Sequence, residues 1–257
     1  MKPEKPKQLR VLLRTASQEA YFWLERHVSP STRYSQSHYE EQLRAALQPG
    51  IRWLDIGCGH QLLPEWRADV ERELIAISGA VTGLDPDLSS LRRHRTIKRR
   101  VTGDAGYLPF ADASFDLVTS NMVVEHLDHP EVCFGEVRRV LRPGGRFLFH
   151  TPNARAHTTR LARRVPESLK ARLARILDGR SVDDVFRTYY RANTEERITD
   201  LAEATGFDAE WIRPTTTSAA LAIITPLALL ELLWIRLLET PRFSRWRQTL
   251  IVSLHRP

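Results

Sequence analysis

Residues 53–59 read Trp53-Leu54-Asp55-Ile56-Gly57-Cys58-Gly59. The run 51–56 is short and apolar, as a buried strand requires. It breaks into two glycines separated by one residue, which lets the backbone turn tightly and approach a ligand. In an open α/β sheet, ligands bind at the carboxyl ends of the strands, and this is the first such end in the chain. A dinucleotide fingerprint needs a further glycine at position 62, where Leu62 stands. A phosphate-gripping Gly-Lys-Ser/Thr is missing, which speaks against a nucleoside triphosphatase.

Working outward, strands and helices alternate. Residues 62–77 suit a helix, 80–84 a strand, 88–94 a helix start, and 115–120 a strand. Residues 130–140 suit a helix that ends at the turn Arg142-Pro143-Gly144-Gly145, and 146–150 another strand. Such alternation implies a parallel sheet with helices on both faces. Upstream, residues 1–8 read as a tail and 9–48 as helical, interrupted over 29–39. Downstream, Asn193 with Glu196 three residues later resembles a capping box. The helix it opens ends at Gly206, and strands follow over 207–213 and 248–255.

Two more strand ends carry acids. Gly83-Leu84-Asp85 closes the second strand, and an acid there can hydrogen-bond both hydroxyls of a ribose. Gly103-Asp104-Ala105 follows the third strand region. The Asp104 side chain can accept from an exocyclic amine, and the next backbone N–H can donate to a ring nitrogen. Together these form a nucleoside site with no pyrophosphate grip.

The blocks WLDIGCG (53–59), GLDPD (83–87), GDAGYLPFADASFDLV (103–118), EHL (125–127) and EVRRVLRPGGRFLF (136–149) stand in one order. In that order they resemble the class I S-adenosylmethionine (SAM)-dependent methyltransferases, type 11, the ubiquinone/menaquinone-biosynthesis-like branch. The resemblance covers about residues 50–151. It implies a three-layer, doubly wound α/β fold: a seven-stranded, mostly parallel, Rossmann-like sheet with N-terminal helices and a helical insert after strand 5. It also implies a tail and helical cap over 1–48 and a methyltransferase domain over 49–257. That domain divides into a SAM-binding core at 50–151, a substrate lid at 152–192 and C-terminal helices and strands at 193–257.

The resemblance assigns roles by position. Asp55, Gly57 and Gly59 surround the methionine part of SAM, with Cys58 contributing backbone. Asp85 holds the ribose, Asp104 and Ala105 read the adenine, and Asn121 passes near the sulfonium end. The family loop usually has another glycine two residues after Gly59. Here Gln61 occupies that place, so the turn must be made without it. The protein's task is to align a nucleophile with the methyl group, exclude water and accept a proton where one must leave. His126 and His150 sit at or just past strand ends and titrate near neutrality, so both are base candidates. Tyr189 and Tyr190 lie in the insert and can cover the site; either can orient a substrate oxygen, and Tyr190 is the catalytic candidate. No metal is expected, because His126 and His129 lack further ligands at zinc spacing. No Gly-x-Ser-x-Gly is present on which to build a serine nucleophile.

The chain has 257 residues, 42% hydrophobic and 27% charged, with net charge +7. That balance excludes a collagen, a disordered chain and a multi-span membrane protein. Two cysteines cannot make a disulfide scaffold and fit a reducing, cytoplasmic setting. Leu9 to Leu13 is too short and interrupted for a signal peptide. Of 38 basic residues only five are lysine, at 2, 5, 7, 98 and 170. That arginine excess reads either as host bias or as recognition of phosphates and carboxylates.

Leu161, Val165, Leu169, Leu173 and Leu177 make a helical stripe over 155–179 with arginines around it, either a packed helix or a basic lid. Residues 219–238 are the most apolar stretch, but Glu231, Arg236 and Pro226 interrupt it, which favours a buried helix over a span. The arginines beyond it (Arg242, Arg245, Arg247) suit an anionic lipid, so peripheral membrane contact through 219–247 is an alternative. The expected function is methyl transfer from SAM to a small-molecule or lipid-like acceptor, chiefly at oxygen. The alternatives are an RNA methyltransferase and a catalytically silent SAM-binding subunit. Ser120 to Glu125 does not match the Asn/Asp-Pro-Pro-Tyr pattern of adenine-modifying enzymes, which disfavours nucleic acid.

Overall fold

The apolar run before the glycine loop forms a four-residue strand, Trp53–Ile56 (β1), with every side chain buried. This is seen in the computed structural model, which describes residues 19–30, 32–164, 187–219 and 225–257. Two helices precede it, at residues 19–28 (α1) and Ser35–Ala46 (α2). After the loop come a 3-10 turn Glu65–Arg67 and helix Ala68–Ser78 (α3). Strand Val81–Asp85 (β2), helix Leu88–Arg93 (α4) and strand Arg99–Thr102 (β3) follow. Then come Phe115–Asn121 (β4), Pro130–Val140 (α5), Leu141–Pro152 (β5) and His157–Arg164 (α6). The chain continues through Glu195–Thr205 (α7), Asp208–Thr215 (β6), Thr225–Leu238 (α8) and Thr249–His255 (β7).

The strands form one seven-stranded sheet in the order β3-β2-β1-β4-β5-β7-β6. The first five run parallel, and β7 runs antiparallel to both β5 and β6. The chain moves outward from β1 to β3 and then returns to β4 on the other side of β1. That reversal opens a crevice above the carboxyl ends of β1 and β4.

Side chains alternate across the sheet with period two. Leu54, Ile56, Val118, Phe147 and Phe149 face Phe134 and Val137 of α5 and Ile198, Leu201 and Ala202 of α7. Trp53, Leu117, Leu148 and Ile251 face Tyr39 and Leu43 of α2 and Leu74 of α3. The fold is thus three layers, helix on sheet on helix, as expected. A third cluster packs Tyr21 of α1 against Ala228, Leu232 and Ile235 of α8.

Several expected boundaries shift for physical reasons. The helix expected over 62–77 begins at Ala68, because Leu62 and Leu63 are buried as loop residues. The buried Glu71 carboxylate accepts the Leu63 N–H at 2.9 Å and fixes that loop. The strand expected over 146–150 is longer, since β5 starts at Leu141 and pairs with β4 across an irregularity. The cap of α7 is Thr194, whose hydroxyl accepts the Arg197 N–H; Asn193 instead donates to Thr151 Oγ1 and the Pro152 carbonyl. The helix does end at Gly206, in a left-handed conformation. Within the expected 155–179 stripe α6 is seen, while Val165, Leu169, Leu173 and Leu177 lie outside the described residues. Within 219–238 the described helix is α8, and no described helix is long and apolar enough to cross a membrane.

Candidate active site

A cavity of about 680 Å³ sits in the crevice. Gly57, Gly59, Asp85, Asp104, Ala105, Asn121 and His126 all line it, so the structure gathers seven of the sequence-predicted positions around one space. Ile56, Leu84, Val123, Leu127 and Val132 supply apolar walls.

The glycine loop is pinned to the end of β2, because the Gly57 and Cys58 N–H groups both donate to the Leu84 carbonyl, at 2.7 and 3.2 Å. Gly57 has φ +73°, and a Cβ there would lie 2.3 Å from Val123 Cγ2. The turn closes without a glycine at 61, through the Gln61 N–H donating to the Cys58 carbonyl at 3.2 Å. Cys58 turns its buried thiol toward Gly83, where a Cβ would meet Sγ at 2.6 Å. Burial pushes that thiol's pKa up, so it is an inert packing group, and Cys58 does not line the cavity.

Asp85 accepts the Gly59 N–H on Oδ2 and the Asp87 N–H on Oδ1, both at 2.8 Å. Each carboxylate oxygen keeps further lone-pair capacity for a ligand hydroxyl. Burial raises its pKa, and the two N–H bonds oppose that shift. Asp104 is exposed at the rim and accepts the Gly106 N–H at 2.6 Å. Tyr107, 80% exposed, lines the same rim; its place in the GDAGY block was the available signal for it.

Asp55 differs from its expected role. Its carboxylate is buried behind the loop and accepts from Thr119 Oγ1, whose oxygen also accepts from Trp53 Nε1 at 2.6 Å. Desolvation pushes its pKa up to about 8. Asp55 therefore braces β1 against β4 from behind the cavity rather than lining it.

Residues 54–149 match the sequence model of a methyltransferase domain family, type 11. Over that stretch the chain is similar to the family, and the match leaves the flanking residues uncovered. Over 117 residues it is 37% identical to a malonyl-acyl carrier protein O-methyltransferase of Erwinia pyrifoliae, covering 43% of this chain and 42% of that one. Over 124 residues it is 39% identical to a fatty-acid O-methyltransferase of Mycolicibacterium smegmatis, covering 46% and 43%. Each match spans about two fifths of the curated relative's length. The crystal structure of a SAM-dependent methyltransferase from Mesorhizobium loti superposes with TM-score 0.52 at 21% identity, covering 84% of this chain and 96% of that one. That is a likeness of fold.

The cavity separates the three base candidates. His126 lines the cavity, and its Nδ1 lies 2.9 Å from the Arg187 carbonyl oxygen. A carbonyl only accepts, so Nδ1 carries the proton, while Nε2 lies 4.0 Å from Glu125 Oε1. Burial lowers the His126 pKa, which keeps the ring neutral. His150 does not line the cavity. It is buried, stacked on Tyr39 of α2 with centroids 5.7 Å apart, and its Nδ1 donates to Asn121 Oδ1 at 3.0 Å. Desolvation pushes its pKa down to about 4. His150 thus orients the cavity-lining Asn121, whose amide also donates to Gln36 Oε1 at 3.3 Å.

Tyr190 does not line the cavity either, whereas Tyr189 does. Both backbone N–H groups donate to the Glu125 carbonyl, at 2.8 Å from Tyr189 and 3.1 Å from Tyr190. Tyr190 has φ +55°, which swings its side chain away from its neighbour's. Glu125, quoted within EHL but given no role from sequence, is buried; its Oε2 accepts from the Thr151 hydroxyl at 3.1 Å. Desolvation pushes its pKa up to about 7. Among the described residues no cluster of His, Cys, Asp and Glu could hold a metal ion.

Proposed function

We propose that the chain is a SAM-dependent methyltransferase acting on a small or lipid-like acceptor, at oxygen. The observation that carries the reading is the convergence of the glycine loop, Asp85, Asp104, Asn121 and His126 on one cavity. The residues present fit SAM: an acid with spare lone pairs for ribose, an acid and a backbone for adenine, and a loop too tight at Gly57 for any side chain. SAM supplies an electrophilic methyl group on a sulfonium centre. Asp85 binds the ribose hydroxyls, Asn121 is held toward the sulfonium end by His150, and Tyr189 covers the acceptor. His126 would take the proton that a hydroxyl acceptor loses on methylation. The relatives' names, one acting on a malonylated carrier and one on fatty acids, support a lipid-like acceptor.

Cytoplasmic location with contact at a lipid surface belongs to the same reading. Both cysteines are free and buried. Leu230, Leu233 and Leu237 of α8 stay exposed on the side turned from α1, which suits a place to meet an apolar acceptor.

The test combines calorimetry with methyl transfer from deuterium-labelled SAM to a pool of fatty alcohols. Wild type binds SAM saturably, and Asp85→Ala weakens binding by about tenfold or more. His126→Asn keeps binding and loses transfer. In wild type the rate falls only below a pH under the ordinary histidine range near 6.5, because the lowered pKa keeps His126 neutral above it. Absence of SAM binding, or full transfer by His126→Asn, sinks the corresponding part.

A further inference from the structure

Tyr190 leads to a second pocket. Arg163 stands over its ring at 5.9 Å. The pocket, about 340 Å³, is lined by Ala154, Arg155, Arg160, Arg163, Arg245 and Trp246, so four arginines meet there and, among the described residues, no acid does. Arg155 pairs with Glu196 at 2.7 Å. Arg245 lies over the Trp246 ring at 4.3 Å. Among the described residues, Arg160, Arg163 and Arg245 have no carboxylate partner.

This gathering is built into the fold. Asn153, fully buried at the end of β5, donates from Nδ2 to the carbonyls of Arg245 and Arg247 at 2.9 and 2.8 Å. Its Oδ1 accepts the Arg155 N–H at 2.9 Å. One amide therefore fixes both lips of the pocket: the turn into α6 and the 3-10 segment Pro241–Trp246. Arg160 and Arg163 then project from α6, with Leu161 between them 55% exposed.

Like charges lining one pocket repel unless an anion sits among them. Guanidinium groups present paired donors in a plane, a geometry that matches phosphate oxygens. Three cations without carboxylates exceed what one carboxylate ligand could neutralise and suit a dianion. We infer that Arg155, Arg160, Arg163 and Arg245 form a binding site for the phosphate group of a phosphate ester, distinct from the large cavity. This inference does not depend on methyl transfer, and its test is run without SAM.

The full chain is titrated with inorganic phosphate, with glycerol 3-phosphate, and with phosphatidylcholine vesicles with or without phosphatidic acid. The variants are Arg160→Ala/Arg163→Ala, Arg245→Gln, and a control, Arg92→Ala/Arg93→Ala, which removes two exposed charges of α4 instead. Melting curves confirm that each variant is folded. Wild type binds a phosphate probe saturably, and the pocket variants weaken it by about tenfold or more while the control does not. Saturation by glycerol 3-phosphate, with displacement from vesicles, identifies a soluble ester as the source. Binding only to vesicles containing phosphatidic acid identifies a lipid headgroup. Equal losses in the pocket and control variants would reduce the effect to bulk charge and overturn the site. So would the lack of saturable binding to any probe, or binding to RNA alone.

Discussion

Gly57 and Gly59 look equivalent in the sequence, and the structure separates them. Both lie in the left-handed region, with φ +73° and +51°. A Cβ on Gly59 meets nothing within 4 Å, whereas one on Gly57 collides with Val123, which lines the cavity. Gly59→Ala therefore carries only the backbone cost, about 1 kcal/mol. Gly57→Ala adds a steric clash that Val123 relieves only by moving into the ligand space. We expect Gly57→Ala to weaken SAM binding by more than about tenfold, and Gly59→Ala by less than about fivefold. Calorimetry on the two variants checks this, and equal losses would show that backbone conformation alone governs the loop. The same contrast explains why Gln61 is tolerated: it closes the turn through its N–H to the Cys58 carbonyl.

At the scale of elements, Glu125 shows how a short turn can govern stability. The 3-10 turn Val124–His126 buries this carboxyl against Thr151 and holds the 189–190 backbone on its carbonyl. Burial pushes its pKa up to about 7, from 4.5 in an unfolded chain. Between those values the folded state keeps a proton that the unfolded state has lost. The stabilisation from neutral Glu125 is thus complete below pH 4.5, falls as pH rises, and is gone above about 7. Glu125→Gln removes the titration, so the stability difference between pH 5 and pH 8 should shrink by up to about 3 kcal/mol. Asp55, also pushed up, leaves a residual slope of the same sign. Urea unfolding of both proteins at the two pH values tests it; an unchanged difference would place the titration elsewhere. What was legible in the sequence follows the same scale. The short apolar strands and the helix stop at Gly206 are local, and they stood close to where expected. The Asn193 cap failed because Thr151 and Pro152, distant in sequence, took its amide. His150 could be placed at a strand end, but only the packing of Tyr39 from α2 showed that it is sealed from the cavity.

Across the whole molecule, the sheet and a helical annex are packed separately. The expected cap over 1–48 contains helices that are used differently. α2 buries Tyr39 and Leu43 against the sheet, while α1 buries Tyr21 against α8. The annex is tied to the rest mainly by polar contacts. Arg247 donates to the carbonyls of Leu238, Glu239 and Pro214, and His157 meets Glu231 and Trp234. Polar ties of this kind hold position but bury little apolar area, so the annex should open before the sheet does. Leu232, buried in the annex cluster and absent from the two sheet clusters, isolates the point. Leu232→Ala removes about 2–5 kcal/mol of packing from the annex alone. Hydrogen exchange in residues 19–28 and 225–238 should then accelerate, while the main unfolding midpoint and SAM affinity stay at their wild-type values. A fall in the main midpoint would mean that the annex and the sheet unfold as one unit, and that the arginine pocket between α6 and the segment after α8 is as rigid as the SAM site itself.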